Sequence, residues 1–197
     1  MTPESLLGIG VGLALAAAAG FRVFVPLLVL SLAARTGWIE LSPSFAWLAT
    51  TSASVALGTA MVLEIAAYYV PFFDNMLDTL AAPVAVLAGI VASASVLTDL
   101  PPWLQYSIAI VGAGGTAGFV HASTTLLRLK SSAATAGLGN PILATLELGG
   151  SIMIALLAVL APLLALAAVV LIVWIVAMRV TARRRANGRA AARPSAR

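Results

Sequence analysis

A polytopic all-α bundle of about six transmembrane helices is the fold this sequence predicts. Its composition is 61% hydrophobic and 9% charged over 197 residues, against roughly 25% charged in a water-soluble domain. Its apolar residues gather into runs long enough to cross a bilayer. Its lysines and arginines collect beside particular runs rather than along the whole chain.

A helix crosses the hydrocarbon with about 20 apolar residues at 1.5 Å each. Runs of this kind cover 5–34, 45–70, 80–98 and 103–127, followed by a stretch from Pro141 to Met178. Turn formers and charges separate them: Thr36-Gly37, Ser42-Pro43, Pro71 through Asp78, Asp99 through Pro102, and Ser131 through Asn140. Lysine and arginine accumulate on the cytoplasmic side. Arg128 and Lys130 precede the last stretch and Arg179 follows it, so both its ends belong in the cytoplasm. It therefore crosses twice, as 141–160 and 162–178, folding at Ala161-Pro162. Six spans with both termini cytoplasmic result. The aromatic residues fit, with Trp38, Trp47 and Trp103 at outer helix ends and Tyr68, Tyr69, Phe72 and Phe73 at an inner one.

The chain divides into a transmembrane domain over 1–180 and a basic, disordered cytoplasmic tail over 181–197 suited to anionic lipid headgroups. The tail region also accounts for the basicity, since seven of the eleven basic residues lie from Arg179 onward. No nucleic-acid-binding face is implied. The apolar run ending in Ala16-Ala17-Ala18 resembles a signal peptide, but no basic residue precedes it, so an uncleaved first helix is expected. The absence of cysteine and the single histidine exclude thiolate chemistry and a multi-histidine metal site. Neither a metal nor a cofactor is expected.

Two segments echo one another. Ala19-Gly20-Phe21 is followed directly by Arg22, and Ala117-Gly118-Phe119 is followed two places on by His121. Each leads one half of a three-plus-three arrangement, which implies inverted repeats of the kind found in secondary transporters. Glu64 lies seven residues before Pro71 and Glu147 seven after Asn140, so these carboxylates converge on one depth instead of mirroring each other.

Arg22 falls near mid-membrane, where an arginine costs about 2.5–3.5 kcal/mol and needs a carboxylate, carbonyls or water. Glu64 and Glu147 are the acidic partners available. With His121 they form a candidate solute or ion pathway; a structural ion pair is the plainer reading. Asp74, Asn75 and Asp78, with Arg128, form a candidate cytoplasmic gate or cation contact, or else a solvated cap. Gly20, Gly114 and Gly118 mark helix packing or a local break. The glycine-rich run Ile110 through Gly118 is not a dinucleotide fingerprint, because no strand precedes it and no acidic residue stands about 20 positions on.

These residues resemble the bacterial membrane family known as domain of unknown function 4126 over most of 8–162. The matching features are Gly20-Phe21-Arg22 with Phe24 and Pro26, Glu64 with Pro71, Asp74-Asn75 with Asp78 and Pro83, His121-Ala122 with Arg128, and Gly137 through Pro141 leading to Glu147. Against the family pattern, Tyr68-Tyr69 replace an Asp-Lys pair, Thr124 replaces a lysine and Leu148 an aspartate. The resemblance implies a membrane fold in the bacterial plasma membrane and names no activity.

Three functions compete: a transporter or channel for a small polar or charged solute, a structural or partner-binding membrane protein, and a membrane enzyme acting on lipid. The sequence pairs no nucleophile with a base, so the enzyme ranks last and the protein is expected not to be one. Membrane lipid is the partner expected, and a homo-oligomer is compatible with the reading.

Overall fold

The computed structural model describes 3–69, the backbone but not the side chains of 71–79, 80–165 and scattered residues from there to 178. The expected tail over 181–197 lies outside the described residues. Those described form helices and turns with no strand among them. We number the helices α1 (Pro3–Phe21), α2 (Phe24–Arg35), α3 (Thr51–Tyr68), α4 (Pro71–Val96), α5 (Pro102–Ser107), α6 (Gly114–Thr135) and α7 (Asn140–Leu160). A 3-10 turn over Pro43–Ala49 leads into α3, and a π-helical segment over Ile108–Ala113 joins α5 to α6. Three of the helices, α1, α3 and α7, are long and apolar enough to cross a membrane.

The run 5–34, expected as one crossing, is two helices. The chain leaves helical geometry at Arg22 and bends at Val23. Pro26 supplies the reason. It has no N–H to offer the Arg22 carbonyl four residues back, and its ring collides with that carbonyl in a continuous helix. The contacts on either side show the chain reversing. Along α1, the recess by Pro3 and Leu6 also touches Pro162 and Leu163, Ala18 accepts a hydrogen bond from Ser151, and Arg22 reaches Ala144. Along α2, Val29 through Thr36 lie against Leu156 through Leu160. Thus α1 runs antiparallel to α7 and α2 runs parallel to it, so α1 and α2 form a helical hairpin with Arg22 at its tip.

The hairpin changes which segments share an end of the bundle. The expected single crossing put residue 3 and Arg35 at opposite ends; they lie at the same one. There the Ser42 N–H donates to the Ser95 carbonyl at 2.8 Å, Gly8 packs on the Val96 carbonyl, and Gln105 donates to the Ala94 carbonyl at 2.7 Å. We call this the near end. The turns after Tyr68 and around Ala136–Gly139 lie at the far end. Trp38, Trp47 and Trp103 are exposed near-end residues. Tyr68, expected in an aromatic belt, is instead buried in the core, whereas Tyr69 is exposed.

Small residues put α1 at the centre. Ala14 through Ala19 are almost wholly buried, which lets α4, α6 and α7 all pack on one helix. An added Cβ at Gly12 would meet Ser93 Oγ at 2.5 Å, and one at Gly20 the Ala117 carbonyl oxygen at 2.6 Å. Gly114 and Gly118 pack on Ile90 and Val86 of α4, so these glycines serve packing while the backbone irregularity falls just before them, over Ile108–Ala113.

The two echoing segments meet side by side, Gly20 against Ala117 and Val120. Leu13 meets Gly112 lower down, so α1 and α6 run in the same direction. Inverted repeats need antiparallel mates, and these two helices do not supply them. Another expected boundary also moves. Pro71 through Asp78, read as an inner loop, are the first turns of α4, with Pro71 at a position where its missing N–H costs nothing.

Candidate functional site

The hairpin tip stops short of the far end. Arg128 lies two turns before α6 finishes at Thr135, and Glu147 lies two turns after α7 starts at Asn140. Both pair at the level of Arg22, so the tip sits about 10 Å inside the ends of those helices at the standard rise.

Among the described residues, four charges and one aromatic ring make up this layer. Arg22 is 1% exposed. Its Nη2 donates to the Ala144 carbonyl at 2.9 Å and lies 3.7 Å from Glu147 Oε2. Arg128 takes the same carboxylate side-on, with Nε donating to Oε1 at 3.1 Å and Nη2 to Oε2. This two-point geometry fixes orientation as well as charge. Tyr68 is the shared aromatic surface, with the Arg22 and Arg128 guanidinium carbons 3.9 and 4.1 Å from its ring centroid. Such contacts strengthen when water is excluded.

Glu64 does something different. Its Oε1 accepts from the Val23 N–H at 2.8 Å and its Oε2 from the Phe24 N–H at 3.2 Å. These amides are among the first of α2, which have no partner within their own helix. A carboxylate is well suited to them, because the positive end of the helix dipole lies at the same point. Glu64 therefore stabilises the break that Pro26 creates. It also lines an apolar cavity of about 430 Å³ between α2, α3 and α4, together with Val23, Phe24, Leu63, Tyr68 and Val84.

The structure brings Arg22, Glu64 and Glu147 together and adds Arg128, expected in a separate cytoplasmic gate. His121 lies elsewhere. It is buried two turns before Arg128 on α6 and lines a cavity of about 590 Å³ with Pro83, Val86, Gly118 and Thr125. No hydrogen bond or ion pair joins it to Arg22, Glu64 or Glu147. Asp74, Asn75 and Asp78 lie on the first turns of α4, and their side chains are outside the described residues. No group of three or more His, Asp or Glu residues suited to a metal occurs among the described residues. Tyr68, not among the site residues expected from the sequence, stands one helical turn after Glu64 on the same face, which is the signal that marks it.

A helix bundle with this apolar surface, built around a buried layer of paired charges, defines a multi-pass membrane protein. A family model described as domain of unknown function (DUF4126) matches residues 9–182, and the chain belongs to that family. No curated protein and no solved structure matches it.

Proposed function

We propose that the protein is a transporter or channel for a small charged solute, which it engages at the tip of the α1–α2 hairpin. One observation carries this reading. The Arg22 guanidinium lies at a helix break, is 1% exposed, and keeps Nε and Nη1 without a hydrogen-bond partner. A buried donor left unmade costs about 1–3 kcal/mol, and more when charged. Intramembrane ionisable groups beside broken helices are characteristic of solute pathways.

The same logic orients the protein in a bacterial plasma membrane. Arg128 and Lys130 favour a cytoplasmic far end. The near end, and the N-terminus with it, is then outside, which revises the expectation of a cytoplasmic N-terminus. The basic segment after 181 meets anionic headgroups in this reading.

A second reading, a structural membrane protein without transport, is favoured by one feature: both carboxylates are already engaged. Flux into liposomes separates the two. Protein reconstituted with Arg22→Gln or Glu64→Gln is expected to move a panel of small ions at least about tenfold more slowly than the parent, the scale of one charge-assisted hydrogen bond lost. Equal flux in parent and variants removes this layer from any pathway. Absence of flux in the parent, with stability lost in both variants, favours the structural reading.

A further inference from the structure

We infer that the cavity between α4 and α6 binds a neutral, lipid-soluble quinone, which enters sideways from the bilayer and accepts a hydrogen bond from Thr125. This site shares no residue with the Arg22 layer and does not depend on the transport reading.

The cavity holds about 590 Å³, within the roughly 300–1,000 Å³ usual for small-molecule sites. Apolar walls with few polar groups are usual there too, and His121 and Thr125 are the polar side chains among the described lining residues. Thr125 supplies the chemical signal. Elsewhere on α6 the hydroxyls of Thr116, Ser123, Thr124 and Thr135 each donate to a backbone carbonyl one turn earlier. Thr124 takes the His121 carbonyl, which is the one Thr125 would use four residues back. Thr125 Oγ1 is buried and has no hydrogen-bond partner. A hydroxyl in this state has a proton to give and gains from an acceptor brought to it. His121 stands one turn earlier on the same face and is already engaged, so the hydrogen bond assigned to the ligand is that of Thr125.

Depth sets the charge of the ligand. The helical run from Pro102 to Thr135 has Gly118 and Phe119 at its middle, and α4 has Pro83 and Val84 at its middle. The cavity therefore lies near mid-membrane. Pro83, Ala122 and Leu126 are exposed at its mouth, so entry is through hydrocarbon. A charged group is disfavoured at that depth, and phospholipid headgroups lie outside the hydrocarbon core. Shape selects among neutral compounds. Gly118 has no side chain and lies against Val86, and Ala82 and Ala122 present single methyl groups. Small walls between two helices make a slot suited to a flat ring. Quinones combine a planar ring, carbonyl acceptors and solubility in hydrocarbon.

Thermal unfolding in neutral detergent, followed by loss of helicity, tests this. Decylubiquinone is titrated at a fixed detergent concentration. Decylbenzene supplies the same chain on a ring without oxygens, and dioleoylglycerol supplies carbonyl acceptors from a lipid. A saturable rise in the unfolding midpoint is expected with decylubiquinone and with neither control. Thr125→Val keeps the shape and removes the hydroxyl. It is expected to unfold no earlier than the parent, because no bond is lost, and to bind the quinone about three- to tenfold more weakly, the scale of one hydrogen bond. Ala122→Phe fills the cavity from an exposed position. It is expected to abolish the rise, and it decides the matter should the valine variant not fold. No rise with decylubiquinone, an equal rise with decylbenzene, a rise with dioleoylglycerol alone, or a rise undiminished in the variants overturns the inference.

Discussion

Replacing Glu147 with leucine is expected to cost about 3–5 kcal/mol of stability, the scale for removing one partner of a buried ion pair. The carboxylate holds Arg128 at two points and balances Arg22. Without it, the Arg22 and Arg128 guanidiniums, both stacked on Tyr68, lose the carboxylate they share. Glu147→Gln keeps the shape and one acceptor oxygen, so its loss is expected to be smaller. The double variant Arg128→Met with Glu147→Leu is expected to lose less than the sum of the two single changes, because each single change leaves the other member of that pair buried without it. Denaturation in mixed micelles, with loss of helicity as readout, measures all three. A Glu147→Leu protein as stable as its parent shows that the pair is solvated and the layer is not buried.

The second large effect is expected at Gly20, where even a methyl group has no room. A Cβ there would lie 2.6 Å from the Ala117 carbonyl oxygen and 2.6 Å from Val120 Cβ. The first obstacle is backbone, so α1 and α6 must separate. Overpacking of this kind costs about 1–3 kcal/mol. The change also displaces the hairpin tip two residues later, and Gly20→Ala is expected to impair any activity that depends on Arg22. Gly115→Ala is the matched control: nothing lies within 4 Å of its Cβ position, and alanine gains up to about 1 kcal/mol in helix propensity. Opposite shifts in unfolding midpoint for the two variants are expected; equal shifts contradict the close approach of α1 to α6.

The membrane character and the helices were legible because they follow from composition and run length, which are local properties. The depth shared by Glu64 and Glu147 was legible too, since each could be counted from a proline or asparagine at a helix end. The hairpin was not read, although two signals were present. A run over 5–34 spans about 45 Å as one helix, well beyond a hydrocarbon core of about 30 Å. Pro26 also stands four residues after Arg22, where it removes that carbonyl's helical bond. Counting apolar residues cannot tell a long tilted helix from two that fold back.

Partners were harder to read than depth. The pairing of Arg128 with Glu147 depends on how α6 and α7 pack, which proximity to one membrane face does not reveal; the side chains of Asp74 and Asp78 lie outside the described residues. By residue type Tyr68 suits an interfacial belt, yet its ring supports two arginines in the core. The supposed repeat failed for a different reason. Gly-Phe pairs in alanine-rich helices mark close packing, and close packing is satisfied by parallel neighbours as well as by symmetry mates.

The reversal of the chain at Arg22 sets the position of the whole charged layer, and because the sequence contains no cysteine, single thiols can report it. Glu4→Cys, Glu40→Cys, Asp99→Cys and Ala134→Cys would each be labelled in intact cells and in inverted vesicles with a membrane-impermeant maleimide. The hairpin predicts that the thiols at 4, 40 and 99 react from one side of the membrane and the thiol at 134 from the other. Reaction of the thiol at 4 from the side opposite to 40 would mean that 5–34 crosses once, and that Arg22 is not the tip of a hairpin.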